Sequence, residues 1–242
     1  MAELTAPAEP VLRLEGVTVR YDVDRHPGVP AVDNVTLTVH RGERLALVGL
    51  NGSGKTTLLL VPAGLVPFEG RALVAGLPVE RRTLSAVRQK IGFLFSIPDD
   101  QILFPRVLDD VGFALRERGL PRDETEDRAR RILDRLGAGD LAEMNPHQLS
   151  QGQRVRVALA GAMVGEPDLL LLDEPSASLD PVGKARLASI LRRSTAGMVL
   201  ATHDLPFARK VCTHYTFLRR GRLVQEPRPS DGLSEALFQE QD

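Results

Sequence analysis

The chain has almost no sulfur chemistry and few aromatic rings. Of its 242 residues one is cysteine, Cys212, none is tryptophan, and 4% are aromatic. An internal disulfide is therefore excluded, which suits a reducing cytoplasm. Net charge is missing too: 31 basic residues face 32 acidic ones, a formal charge of −1. There is no global basic field to hold nucleic acid. No apolar run approaches the roughly 20 residues that span a bilayer, and the opening MAELTAPAEPVLRLEG has no apolar signal-peptide core. His26, His40, His147 and His214 are dispersed without metal-ligand spacing, so they read as structural or solvated. Internal repeats and low-complexity tracts are absent as well.

What is present is ordinary globular composition, 43% hydrophobic and 26% charged, in a length that suits one domain or a core with a small lobe. Residues 11–19 and 31–39 largely alternate and read as half-buried strands around a Pro/Gly turn region at 24–30. The pattern then changes to short continuous apolar runs at Leu45–Val48, Ile91–Phe95, Leu169–Leu172, Met198–Ala201 and Tyr215–Leu218. Helical stretches at Lys55–Leu65, Gly152–Val164, Pro181–Arg193 and Leu205–Val211 lie between several of them. Such alternation predicts a parallel sheet covered on both faces. Over about 97–165 the strand signal disappears, and Val107–Arg118 and Glu124–Leu136 read as amphipathic helices, a helical lobe inserted into an α/β core. Residues 222–242 read as an edge strand and a last short helix.

Leu45–Val48 runs directly into Gly49, four further residues, then Gly54, Lys55 and Thr56, where a helix begins. This is GxxxxGK[ST] in strand–loop–helix context, which argues against an accidental glycine turn. The glycines let the backbone curl so that its N–H groups face phosphates. Gly49, Asn51, Gly52, Ser53, Gly54, Lys55, Thr56 and Thr57 form the expected cradle. Lys55 is suited to the β/γ-phosphates and the Thr56 hydroxyl to Mg²⁺. Pro62 removes an amide from the helix and predicts a kink or an early end.

Leu169–Leu172 ends in Asp173 and Glu174. Chemistry in open α/β sheets sits at such carboxyl ends. Asp173 is suited to the Mg²⁺ shell, and Glu174, pointing elsewhere, to polarising an attacking water. Alone, two acids capping a strand or the next helix read equally well; the phosphate loop upstream favours function.

Leu149-Ser150-Gln151-Gly152-Gln153 resembles the LSGGQ signature of ATP-binding cassette (ABC) ATPases. The resemblance runs over about 11–226, taken as one ABC ATPase domain with the 97–165 lobe inserted and 227–242 as a tail. It implies a P-loop ATPase core with a mainly parallel sheet, an N-terminal antiparallel β subdomain and the helical subdomain. By the same resemblance Tyr21 stacks on adenine, Ser178-Leu179-Asp180 is the D-loop, and His203 is the switch histidine at the γ-phosphate. Each has a plainer alternative: a strand tyrosine, a strand-end histidine and, for Ser150 and Gln153, a helix capping box. In the family, the signature of one cassette faces the phosphate loop of another. Ser150, Gly152, Gln153 and Asp180 would thus complete a second subunit's site, and the chain would work as a homo- or heterodimer. ATP and Mg²⁺ are the implied cofactors, with Lys55, Glu174 and His203 catalytic.

Two positions depart from the family pattern. Ser96 stands where a glutamine usually follows the strand, too short for the same reach unless a water bridges. Gln101, five residues on, is a substitute for partner contact rather than metal contact. Gln151 replaces the usual glycine of the signature and either crowds the facing nucleotide or projects outward.

FSIPDDQILFPRVLDDVGFAL at 95–115 is similar to a segment of energy-coupling-factor importer ATPases, especially those for cobalt and nickel; DEPSASLDP at 173–181 and ATHDL at 201–205 fit the same group. That resemblance implies a transmembrane scaffold protein, a separate substrate-binding membrane protein, and a place at the cytoplasmic face of the membrane. Asp99, Asp100 and Gln101 are then expected near the groove that receives the scaffold, although a solvated loop is their plainer reading. Vitamin uptake through the same architecture stays open. A nucleic-acid or translation ABC ATPase would carry a second cassette, a long coiled-coil insertion or a basic surface, none of which is here.

Overall fold

A computed structural model describes residues 9–21 and 29–224. In chain order the first elements are β1 (Leu12–Val19), β2 (Val32–Val39), β3 (Arg44–Val48), α1 (Lys55–Leu60), β4 (Glu69–Val74), β5 (Leu77–Pro78), α2 (Leu84–Gln89) and β6 (Ile91–Leu94). The helical stretch follows, with α3 (Val107–Glu117), α4 (Arg122–Arg135) and α5 (Gln151–Met163). The chain then alternates again: β7 (Leu169–Asp173), α6 (Pro181–Arg192), β8 (Gly197–Thr202), α7 (Leu205–Val211), β9 (His214–Arg219) and β10 (Arg222–Val224).

The five apolar runs become β3, β6, β7, β8 and β9. They pair in parallel in a six-stranded sheet of order β10-β9-β3-β8-β7-β6, with β10 antiparallel at its edge. Their continuous hydrophobicity has a direct cause: successive side chains enter two different cores. Ala46, Val48, Leu170, Leu172, Met198 and Leu200 pack with the helices α3 to α7. Leu45, Leu47, Leu169, Leu171, Val199 and Ala201 pack on the opposite face, against α1 and the antiparallel sheet. Cys212 belongs to the first core, and burial pushes its thiol up to about 12, which leaves it without thiolate reactivity.

The antiparallel sheet has the order β2-β1-β4-β5. The expected half-burial of 11–19 needs correction. β1 is central, with β2 and β4 on its two sides, and Val17, Thr18 and Val19 are all buried. Register shifts between Leu14 and Val17 and between Val17 and Val19 reset the alternation. The strands β4 and β5 and the helix α2 have no counterpart in the sequence reading. They are short, and glycine turns interrupt their pattern.

Between Leu94 and Leu169 there is no strand, as the sequence implies. Pro62 has the expected effect: α1 stops at Leu60, and single turns continue to Gly64. Of the turn region 24–30, positions 24–28 lie outside the described residues, as does His26. So does the short helix expected in the tail; the edge strand expected there is β10.

Leu200→Ala should remove about 3 kcal/mol of stability, because its wholly buried side chain leaves a cavity between β8 and the helices. Urea denaturation followed by far-UV circular dichroism measures this; a loss below about 1 kcal/mol would contradict the packing described.

Candidate nucleotide site

The parallel register brings four strand ends to one edge. Val48 pairs with Thr202, Asp173 with Ala201 and Leu94 with Leu172, so the segments after β3, β6, β7 and β8 emerge side by side. The strand order reverses around β3, and the crevice at such a switch point is where α/β sheets bind ligands.

The loop after β3 is closed by its own lysine. Lys55 is buried, and its Nζ donates to the carbonyls of Gly49 at 2.8 Å and Leu50 at 3.1 Å. The glycines at two positions are obligatory. A Cβ on Gly49 would come within 2.5 Å of Ser53 Oγ and of the Leu218 carbonyl. Gly54 sits at φ +103 with the Ala31 carbonyl 2.3 Å from where a Cβ would be. Ser53 Oγ is buried without a hydrogen-bond partner. Tyr21, half exposed, places its hydroxyl 3.2 Å from Thr57 Oγ1.

The two acids at the end of β7, Asp173 within it and Glu174 just after, diverge, as expected from adjacent positions at a strand end. Asp173 Oδ2 accepts the Thr56 hydroxyl at 2.7 Å, across 117 residues of chain, while its Oδ1 is buried with no hydrogen bond. Burial raises the Asp173 pKa and the nearby Glu174 charge raises it further; the Thr56 hydrogen bond, Lys55 and, least, the Ser96 side chain pull it down. An orphaned carboxylate oxygen beside a threonine hydroxyl fits a hard cation. Ser96, where the resemblance expects glutamine, thus lies close enough to act on the same carboxylate. The Gln101 side chain is engaged within the chain: its Oε1 accepts the Phe95 amide at 2.8 Å and its Nε2 donates to the Ala158 carbonyl at 3.2 Å, tying β6 to α5.

Glu174 turns the other way. Its Oε1 lies 2.9 Å from His203 Nδ1 and 3.5 Å from Lys55 Nζ, and its Oε2 accepts the Thr202 hydroxyl at 2.9 Å. Its backbone is left-handed, φ +47, a strain of about 1–3 kcal/mol held by the surrounding contacts. The sequence reading missed Thr202 and Asp204. The signal available was only their place on either side of His203.

Ser150, Gly152, Gln153 and Asp180 gather elsewhere, around a cavity of about 390 Å³ between α5 and α6. The capping box is real: Ser150 N–H donates to Gln153 Oε1 at 2.7 Å, and the Gln153 amide donates to Ser150 Oγ at 3.4 Å. Asp180 caps α6 by accepting the Gly183 amide at 2.8 Å. Gln151 is exposed. Among the described residues, no hydrogen bond or ion pair joins this group to the phosphate loop group.

A family model described as ABC transporter matches residues 32–177. The energy-coupling factor transporter ATP-binding protein EcfA1 of Bacillus licheniformis is 38% identical over 230 residues, 92% of this chain and 80% of that protein. The chain belongs to the ABC transporter family. Among solved structures, cbiO1 from Clostridium perfringens, part of the ABC transporter complex cbiONQ, matches with a TM-score of 0.80 at 32% identity, over 94% of this chain and 92% of that one. A dimeric ATP-binding cassette in a post-hydrolysis state, bound to ADP and Pi, matches with a TM-score of 0.80 at 28% identity, over 89% and 97%. The chain has the ABC ATPase fold and is an ATP-binding, ATP-hydrolysing subunit of the ABC transporter type. Among its described residues no helix is long and apolar enough to cross a membrane.

Asp173 gives a pH prediction. Its folded pKa is raised, so the folded ABC ATPase holds this proton more tightly than the unfolded chain does. Stability therefore falls as pH rises through that pKa, and the penalty is complete above it. Without nucleotide or metal, Asp173→Asn should melt above the wild type at pH 7, a gain that shrinks towards pH 4. Differential scanning calorimetry checks this; a variant that melts lower at pH 7 would contradict it.

Proposed function

We propose that this ABC ATPase powers an energy-coupling-factor type importer for cobalt or nickel ions from the cytoplasmic face of the membrane. The observation that carries the ATPase part is the meeting of Lys55, Thr56, Asp173, Glu174 and His203 at one sheet edge. The loop amides and Lys55 bind the phosphates, and Lys55 exchanges its loop carbonyls and Glu174 for them. Thr56 and Asp173 hold Mg²⁺, which when bound offsets charge on the β- and γ-phosphates. Glu174 orients and deprotonates the attacking water, and His203 contacts the γ-phosphate. Tyr21 stacks on adenine. Ser150, Gly152, Gln153 and Asp180 act on the nucleotide of a second ATPase subunit. Their separation from the phosphate loop within one chain, and the dimeric relative bound to ADP and Pi, support that reading.

The importer part rests on the resemblance at 95–115 and on the named relatives. A groove of about 650 Å³ between β6, α2, α3 and α5 suits helices of a transmembrane scaffold protein, which in turn pairs with a substrate-binding membrane protein. Phe93, Phe95, Phe104 and Phe113 line it, and Leu103 and Phe113 are exposed. Asp110 shapes its rim by accepting the amides of Leu103 at 2.7 Å and Phe104 at 3.1 Å. Gln101 lines the groove, whereas Asp99 pairs with Arg154 at 2.5 Å.

Glu174→Gln should keep ATP binding and slow hydrolysis by about 100-fold or more; steady-state kinetics at near wild-type rate would remove Glu174 from its role. The same variant with ATP should form more dimer by light scattering, and a persistent monomer would favour an obligatory different ATPase partner. Phe113→Glu should leave hydrolysis by the isolated chain unchanged yet abolish co-purification of a polytopic protein from membranes. Undiminished co-purification would place the docking surface elsewhere, and recovery only with ribosomes or nucleic acid would sink the transport reading.

A further inference from the structure

Two of the donors that hold Glu174 have a second task. The Lys55 ammonium and the His203 imidazole are the groups proposed to meet the phosphates, and on that reading their side-chain contacts with the Glu174 carboxylate give way when ATP enters, while the His203 backbone amide, 3.1 Å from Oε1 and 3.4 Å from Oε2, remains a donor. Thr202, the last residue of β8, has no such task and is wholly buried.

The Thr202 hydroxyl has one proton, and the structure fixes where it goes. The Asp204 amide donates to Thr202 Oγ1 at 2.9 Å, so the hydroxyl accepts on that side. Its own proton is then directed to Glu174 Oε2, also at 2.9 Å. Asp204 is itself anchored: Oδ1 accepts the Phe207 amide at 3.0 Å, and Oδ2 accepts Lys184 Nζ at 2.5 Å and the Ser176 hydroxyl at 3.2 Å. A charge-assisted hydrogen bond of set direction thus acts on a carboxylate whose backbone is held in the left-handed region.

We infer that Thr202 is a positioning residue, whose hydroxyl keeps the Glu174 carboxylate aimed at the attacking water while Lys55 and His203 turn to the nucleotide. This rests on the reading of Glu174 as the residue that activates water.

The test compares Thr202→Val, Thr202→Ser and Glu174→Gln in the full chain. Thr202→Val keeps the shape and removes the hydroxyl; it should lower kcat roughly 10- to 100-fold. The KM for ATP and the equilibrium Kd of a fluorescent ATP analogue with Mg²⁺ should stay within about twofold. Thr202→Ser should retain most of the rate. In crystals of Thr202→Val grown with a non-hydrolysable ATP analogue and Mg²⁺, the Glu174 carboxylate should leave its position or split between rotamers, while Thr202→Ser keeps it in one. Adding Thr202→Val to Glu174→Gln should slow hydrolysis no further. The inference is overturned if Thr202→Val turns over like the wild type with Glu174 in place. It is equally overturned if the serine and valine variants lose rate alike and both bind ATP more weakly, the pattern of a structural role. Wild-type hydrolysis by Glu174→Gln would instead remove the reading beneath it, and that arm is measured separately.

Discussion

The pairing register of β7, β8 and β3 is the constraint on which the site depends. Asp173 opposes Ala201 and Thr202 opposes Val48, so residues far apart in the chain meet at one edge. A shift of one residue in a strand would reverse every side chain on it. Leu170 and Leu172 would exchange cores with Leu169 and Leu171, and Asp173 would no longer reach Thr56. Packing on both faces of the sheet therefore fixes the chemistry at its end.

The same edge holds features that only function explains. Asp173 has a buried oxygen without a partner, Ser53 a buried hydroxyl without one, and Glu174 a left-handed backbone. Each costs stability in the chain alone, and the two large cores supply the surplus. The signature residues lie apart from this edge, around a separate cavity beside the D-loop. On the proposed mechanism one chain carries two unlike halves of a site, and only a second subunit brings such halves together.

Much of this was legible in the sequence, and the reasons are physical. Strands buried on both sides must be continuously apolar, and a phosphate cradle needs glycines where a Cβ would collide, as at Gly49 and Gly54. The parallel strands, the phosphate loop and the paired acids therefore carry strong local signals. The hairpin of β4 and β5 does not, because four of the six residues in β4 are not buried and glycine turns break its pattern. Contacts made by tertiary packing left no trace either. The part of Gln101 in joining β6 to α5, through both ends of its amide, is not visible in its sequence neighbours. Thr202 and Asp204 look like ordinary residues beside a histidine until the strand ends are brought together.

The most direct measurement mixes two inactive variants. Lys55→Ala disables the phosphate half. Gly152→Asp puts a carboxylate in the first turn of α5, where the helix tolerates it and a neighbouring side chain stands no closer than 3.4 Å to the new Cβ, while its charge repels a facing phosphate. Each variant alone should hydrolyse ATP far more slowly than the wild type. Their mixture should recover activity, because a mixed dimer pairs an intact phosphate loop with an intact signature. Gly152→Asp alone hydrolysing at the wild-type rate would contradict the account, since the phosphate half would then need no second half.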